Sequence, residues 1–132
     1  FSSMDWKCGA FLVQGNYHEA MVYFNESIRL DSNNAEALIG KGSVFLVQGN
    51  YQEAMIYFNE SIILNPNNAE AWNEKGVALV GMGKYNESIE CFDEALRLNP
   101  KDTSARNNKG AALEILNRNK EANVNYAYAK ER

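Results

Sequence analysis

Proline is nearly missing from this chain, with 2 in 132 residues, at Pro66 and Pro100. A proline inside a helix lacks the N–H that the helix needs and clashes with the preceding turn, so long stretches here are free to be helical. Histidine occurs once, as His18, and cysteine twice, as Cys8 and Cys91. Two thiols far apart in the chain form no CxxC pair, and with one imidazole they do not make a zinc site. Reduced, buried cysteines of a cytoplasmic protein are expected instead. A basic excess is also lacking, since the formal net charge is -4; nucleic-acid binding requires the opposite. No apolar run approaches the roughly 18 residues that span a bilayer, so no membrane partner is expected, and nothing resembles a secretory signal. With Phe1 rather than Met in first place, a fragment of a longer protein is expected. What remains is 45% hydrophobic and 23% charged, the composition of a globular chain long enough for one domain.

The chain repeats itself. The stretch FLVQGNYHEAMVYFNESIRLDSNNAEA from Phe11 recurs from Phe45 as FLVQGNYQEAMIYFNESIILNPNNAEA, an offset of 34 residues. The same offset relates Gly42, Gly76 and Gly110, and also Gly15, Gly49 and Gly83. It links Phe24, Phe58, Phe92 and Tyr126, and Pro66 with Pro100. Four repeats follow, over 1–34, 35–68, 69–102 and 103–132. Each reads as two helices. In the third, Asn68 is placed to cap the first helix. Trp72, Gly76 and Leu79 then fall at i, i+4 and i+7 on one stripe. Gly83 ends that helix, and Tyr85 opens the second, along which Ser88, Phe92, Ala95 and Leu98 keep helical spacing. Asn99-Pro100 stops it, because proline drives the residue before it out of the helical region. Gly76 and Ser88 are expected where two helices cross too closely for larger side chains. Ala20 with Phe24 and Ala54 with Phe58 show the same small-then-aromatic pairing.

A period of 34 residues with Trp72…Gly76, Ala54…Phe58 and a closing Pro66 or Pro100 resembles the tetratricopeptide repeat. The resemblance covers the whole chain. It implies an all-α fold: an α-solenoid of helix-turn-helix repeats that winds into a right-handed superhelix, with the first helices lining a concave groove. It departs from the family pattern at Lys7, Lys41, Lys75 and Lys109, where leucine is common; their stems can pack while the ammonium reaches water. Cys8 takes a glycine place. Asn117 and Asn119 replace a turn glycine and tyrosine, which predicts a looser turn.

Function is read from the groove. No catalytic set is present: His18 opens a second helix without a positioned partner, and Glu90, Asp93 and Glu94 form a solvated face. The sequons at Asn25, Asn59 and Asn86 follow from the repeat placing Ser27, Ser61 and Ser88 where a small residue belongs. The chain is therefore expected not to be an enzyme and to need no cofactor or metal. The first helix of the second repeat is apolar nearly all round. Such a helix is buried on two sides or meets a partner on one. By resemblance the groove is lined in the first repeat by Asp5, Trp6, Gly9, Leu12 and Val13. In the second repeat it is lined by Glu36, Ile39, Gly40, Ser43, Leu46 and Val47. Glu70, Asn73, Glu74, Val77, Val80 and Gly81 follow in the third, and Ser104, Asn107, Asn108, Ala111, Glu114 and Ile115 in the fourth. Chaperone-binding members of that family hold a terminal carboxylate there with Lys, Arg and Asn. Here Asp5, Glu36, Glu70 and Glu74 would repel an acidic tail. The expected partner is a protein or peptide segment with apolar anchors and basic flanks.

Charge is uneven. By repeat it runs -2, -2, -3 and then +3. With Met4, Trp6 and Phe11 at one end and Ala122, Tyr126 and Ala129 at an uncapped other, the alternative is a self-assembling array, joined head to tail or by exchange of a terminal helix.

Overall fold

The computed structural model describes residues 16–116, which form six α-helices and, among them, no strand. The helices are α1 (Tyr17–Leu30), α2 (Ala35–Val47), α3 (Tyr51–Leu64), α4 (Ala69–Gly81), α5 (Tyr85–Leu98) and α6 (Thr103–Ile115). The pairs α2–α3 and α4–α5 each consist of a 13-residue and a 14-residue helix, so the 34-residue period is a period of structure. The fold is an all-α repeat fold. It divides between Asn65 and Pro66 into two compact units, the first holding α1 to α3 and the second α4 to α6.

The ends of the helices follow the sequence. Asn34, Asn68 and Asp102 cap α2, α4 and α6, accepting through Oδ1 from the backbone N–H of Ala37 (3.0 Å), Glu70 (3.0 Å) and Ala105 (3.1 Å). Each bond satisfies a donor that the first turn leaves without an intrahelical acceptor. Gly49 and Gly83 sit at φ +79° and +77°, a left-handed conformation that glycine adopts without steric cost. The carbonyl of Pro66 accepts from Trp72 Nε1 at 2.8 Å, and that of Pro100 accepts from an Arg106 guanidinium nitrogen at 3.1 Å. Each proline thus ends one helix and ties down the first turn of the next.

In the first unit, α2 packs against both α1 and α3. A Cβ on Gly40 would lie 2.1 Å from Phe24 Cε1, and one on Gly42 would lie 2.6 Å from Phe58 Cε1. The two glycines therefore let two aromatic rings touch the backbone of α2, one from each neighbouring helix. This explains why α2 is apolar nearly all round. Ser61, wholly buried, adds an interhelical bond by donating from Oγ to the Ala35 carbonyl at 3.1 Å.

In the second unit, Gly76 repeats the device against Phe92, with a hypothetical Cβ 2.4 Å from Cε1. Ile89 and Phe92 of α5 meet Ala112 and Leu113 of α6, with Val77, Val80 and Leu116 packed on the cluster. Ser88 is fully buried, as expected at the crossing, and its hydroxyl donates to the Tyr85 carbonyl at 2.6 Å.

Among the described residues, the three lysines that stand where leucine is common each find a partner. Lys41 Nζ lies 4.6 Å from the centre of the Tyr57 ring, and Lys75 Nζ lies 5.5 Å from the Trp72 ring, both within cation–π range. Lys109 Nζ pairs with Asp93 at 2.7 Å. Lys7, Cys8, Asn117, Asn119 and the end residues from which head-to-tail association was expected lie outside the described residues.

Candidate functional site

The groove expected from the sequence divides on inspection into residues that pack and residues that face solvent. Ile39 was expected to line it; it is instead 3% exposed and belongs to the core. Gly40 was expected beside it, but it is the seat of the Phe24 ring. The Gly40 correction has a plain cause: α1 packs on that side of α2 and its Phe24 ring takes the space. Of the other expected residues of α2, Ser43 and Leu46 are half-buried, Glu36 is exposed, and Val47 is 52% exposed at the C-terminal end. Trp6, Leu12 and Val13 lie outside the described residues.

The second unit brings its expected residues together more fully. Asn73 of α4 is only 6% exposed, so it is a buried linker and not an open lining residue. Its Oδ1 accepts from Asn108 Nδ2 at 3.0 Å, and its own Nδ2 donates to Ser104 Oγ at 3.3 Å. A single amide thus bridges α4 and α6 in both directions. A buried amide without partners would be costly, and these bonds satisfy it. Asn108 is half-buried and Asn107 exposed, so both retain donor and acceptor capacity at the surface. Glu70 is exposed and Glu74 half-buried on α4. Val77 and Val80 are partly covered because they pack on the cluster of Ile89, Phe92, Ala112 and Leu113. The α4–α6 face is therefore a polar amide ladder with carboxylates beside it and two valines at its edge. Such a surface can hydrogen-bond an extended backbone and attract positive charge.

Other candidates for chemistry are structurally plain. His18 is exposed on α1. Cys91 is a free, buried thiol; burial pushes its pKa up, which the nearby Lys75 charge only partly offsets. It forms part of the wall of a shallow pocket of about 340 Å³ with Trp72, Lys75, Leu79, Glu87, Glu90 and Glu94. A thiol held protonated there is a poor nucleophile. Among the described residues no cluster of His, Cys, Asp and Glu is arranged to hold a metal, and no helix is long and apolar enough to cross a membrane. The sequon serines Ser27, Ser61 and Ser88 are all buried.

What the sequence alone did not reveal is the pairing of Asn73 with Asn108 and Ser104. The signal was the offset: Asn73 and Asn108 are 35 residues apart, one period plus one residue, which places them on adjacent first helices.

Two family models match the chain, both of the tetratricopeptide repeat, one over residues 10–69 and one over 69–102. No curated protein matches it in sequence. Among solved structures, it is similar to MamA (residue 41 to the end) from Desulfovibrio magneticus RS-1, with a TM-score of 0.82 at 23% identity, covering 97% of this chain and 72% of that one. It is also similar to the first TPR of Spaghetti (RPAP3) bound to the HSP90 peptide SRMEEVD, with a TM-score of 0.78 at 21% identity, covering 86% and 90%. The Arabidopsis OM64 TPR domain gives 0.76 at 22% identity, covering 86% and 93%. At these identities the likeness shows the fold.

Proposed function

This chain belongs to the tetratricopeptide repeat family, and we propose that it is a protein-interaction scaffold, without catalytic chemistry of its own, that holds a partner segment against the exposed face of its first helices. The observation that carries this reading is the Asn73–Asn108 amide pair. It fixes the face of α4 and α6 in advance of binding, which lowers the ordering cost that association must overcome. It also leaves Asn107 and the outer edge of Asn108 at the surface. An amide both donates and accepts, as a peptide backbone does.

Charge selects the partner. Glu70 and Glu74 stand on α4 beside the ladder. The HSP90 peptide in the RPAP3 structure, SRMEEVD, has three carboxylate side chains near its end, and juxtaposing like charges costs affinity. The α4–α6 face suits a segment with apolar anchors, for side chains such as Val77, and with lysine or arginine at its flanks.

The test is a titration of the full chain with two peptides, one of apolar anchors flanked by lysines and one of sequence SRMEEVD. Saturable binding of the first is expected, weakened by added salt and by Glu70→Lys with Glu74→Lys. Saturable binding of SRMEEVD that disappears when its terminal carboxylate is amidated would overturn the proposal.

A further inference from the structure

The second helices share an outer stripe in repeat register, and α3 departs from it. In α1 the stripe is Val22, Glu26 and Arg29; in α5 it is Glu90, Glu94 and Arg97. Both end in an ion pair: Arg29 Nε donates to Glu26 Oε2 at 3.0 Å, and Arg97 Nε donates to Glu94 Oε1 at 3.0 Å. In α3 the same places hold Ile56, Glu60 and Ile63. Ile56 is 55% exposed and Ile63 is 80% exposed. Positions i, i+4 and i+7 lie on one helix face, so Glu60 stands between two isoleucines that face water. Among the described residues no cation stands within ion-pair distance of Glu60, unlike its counterparts Glu26 and Glu94.

We propose that this stripe of α3 docks an amphipathic helix of a partner protein that carries apolar side chains at i and i+7 and a lysine or arginine at i+3 or i+4. The spacing follows from the geometry: Ile56 and Ile63 are two turns apart, about 10 Å along the axis, and a partner helix places its own i and i+7 at the same separation. The cation follows from charge, because it supplies to Glu60 what Arg29 and Arg97 supply within α1 and α5. Glu53, exposed one turn before Ile56, adds to the negative field. A second copy of the chain fits less well. Two α3 helices crossing about a two-fold axis with their isoleucines in contact would bring the two Glu60 carboxylates together near that axis. The site lies on a second helix and does not depend on the first-helix faces.

The experiment titrates the ¹⁵N-labelled full chain with an alanine-rich helical peptide carrying leucine at i and i+7 and arginine at i+4. Amide shifts should saturate and concentrate between Ile56 and Ile63. The affinity should fall about tenfold or more with Ile63→Arg, a loss of at least about 1.4 kcal/mol. That variant installs the arginine of α1 and α5 at an exposed position, and an unchanged thermal midpoint would show that the fold survives. Replacing the peptide arginine by glutamate should weaken binding by a similar factor. Equal binding of the two peptides, shifts confined to other helices, or no saturable shift would overturn the proposal. A dimer in sedimentation that dissolves on Ile63→Arg would overturn it in favour of self-association.

Discussion

A Cβ placed on Gly76 would stand 2.4 Å from Cε1 of Phe92. The ring is wholly buried and cannot swing into solvent to make room. Gly42 stands in the same relation to Phe58, and Gly40 to Phe24. The aromatic rings of these repeats therefore seat on bare helix backbone, and the space is already filled to contact.

Gly76→Ala should destabilise the chain. A mid-helix alanine gains up to about 1 kcal/mol over glycine in helix propensity, but forcing a methyl group into a packed crossing costs about 1–3 kcal/mol. The net loss should be read as a lower urea midpoint with an unchanged slope. Gly49→Ala tests a different cause. Nothing lies within 4 Å of its hypothetical Cβ, so only the left-handed backbone opposes the change, at about 1–2 kcal/mol. A neutral Gly76→Ala would mean that the Phe92 ring moves freely.

Much of this architecture was readable before the structure. Gly83, Tyr85 and the Asn99-Pro100 stop each mark a boundary through local backbone chemistry, and local chemistry is what a linear pattern records. Gly76 was readable as a crossing because the pair it makes with Phe92 recurs one period earlier as Gly42 with Phe58. Gly40 was misread as groove for a physical reason: facing was assigned from resemblance to a family, whereas its place is decided by the helix that packs on it. The Phe24 ring that fills Gly40 comes from the preceding repeat, outside the 34-residue window. The Asn73–Asn108 pair was half readable. Both residues were assigned to first helices, but a bond between side chains 35 residues apart leaves no local trace.

Asn73→Ala should cost about 1–3 kcal/mol, because it removes two interhelical hydrogen bonds and strips the half-buried Asn108 of its acceptor. Ser104→Ala should cost less, since Ser104 is exposed and water can replace it. Amide hydrogen exchange locates the effect. Asn73→Ala should accelerate exchange in α6 more than in α1 to α3, which belong to the other compact unit. Equal acceleration everywhere would show that the ladder does not act locally.

The thiol of Cys91 offers a check on packing between α4 and α5. It is 6% exposed, and burial raises its pKa. Since the thiolate is the reacting species, a Cys8→Ser protein should react with a disulfide reagent at neutral pH about tenfold or more slowly when native than when unfolded in urea. The native rate should rise with Gly76→Ala, which loosens the same helix pair. A native thiol that reacts as fast as the unfolded one would contradict its placement.

The ion pairs on α1 and α5 predict a small, signed pH dependence. A hydrogen bond from Arg97 holds the Glu94 carboxyl below its ordinary value, and one from Arg29 does the same for Glu26. A carboxyl whose pKa is lower when folded binds fewer protons in the native state. Its contribution is therefore present above the ordinary value of 4.5 and is lost as pH falls from there through the folded value. Both pairs are solvent-exposed, so the contribution should be small and screened by salt. Arg97→Ala should move the Glu94 titration, followed by the side-chain carboxyl resonance, up toward the ordinary value. It should leave Glu26 in place, because that pair lies on another helix. In stability measurements the variant and the parent should converge at low pH, where both carboxyls are protonated, and separate above pH 4.5, with the gap closing at high salt. A Glu94 resonance that titrates identically in parent and variant would show that the arginine does not hold it.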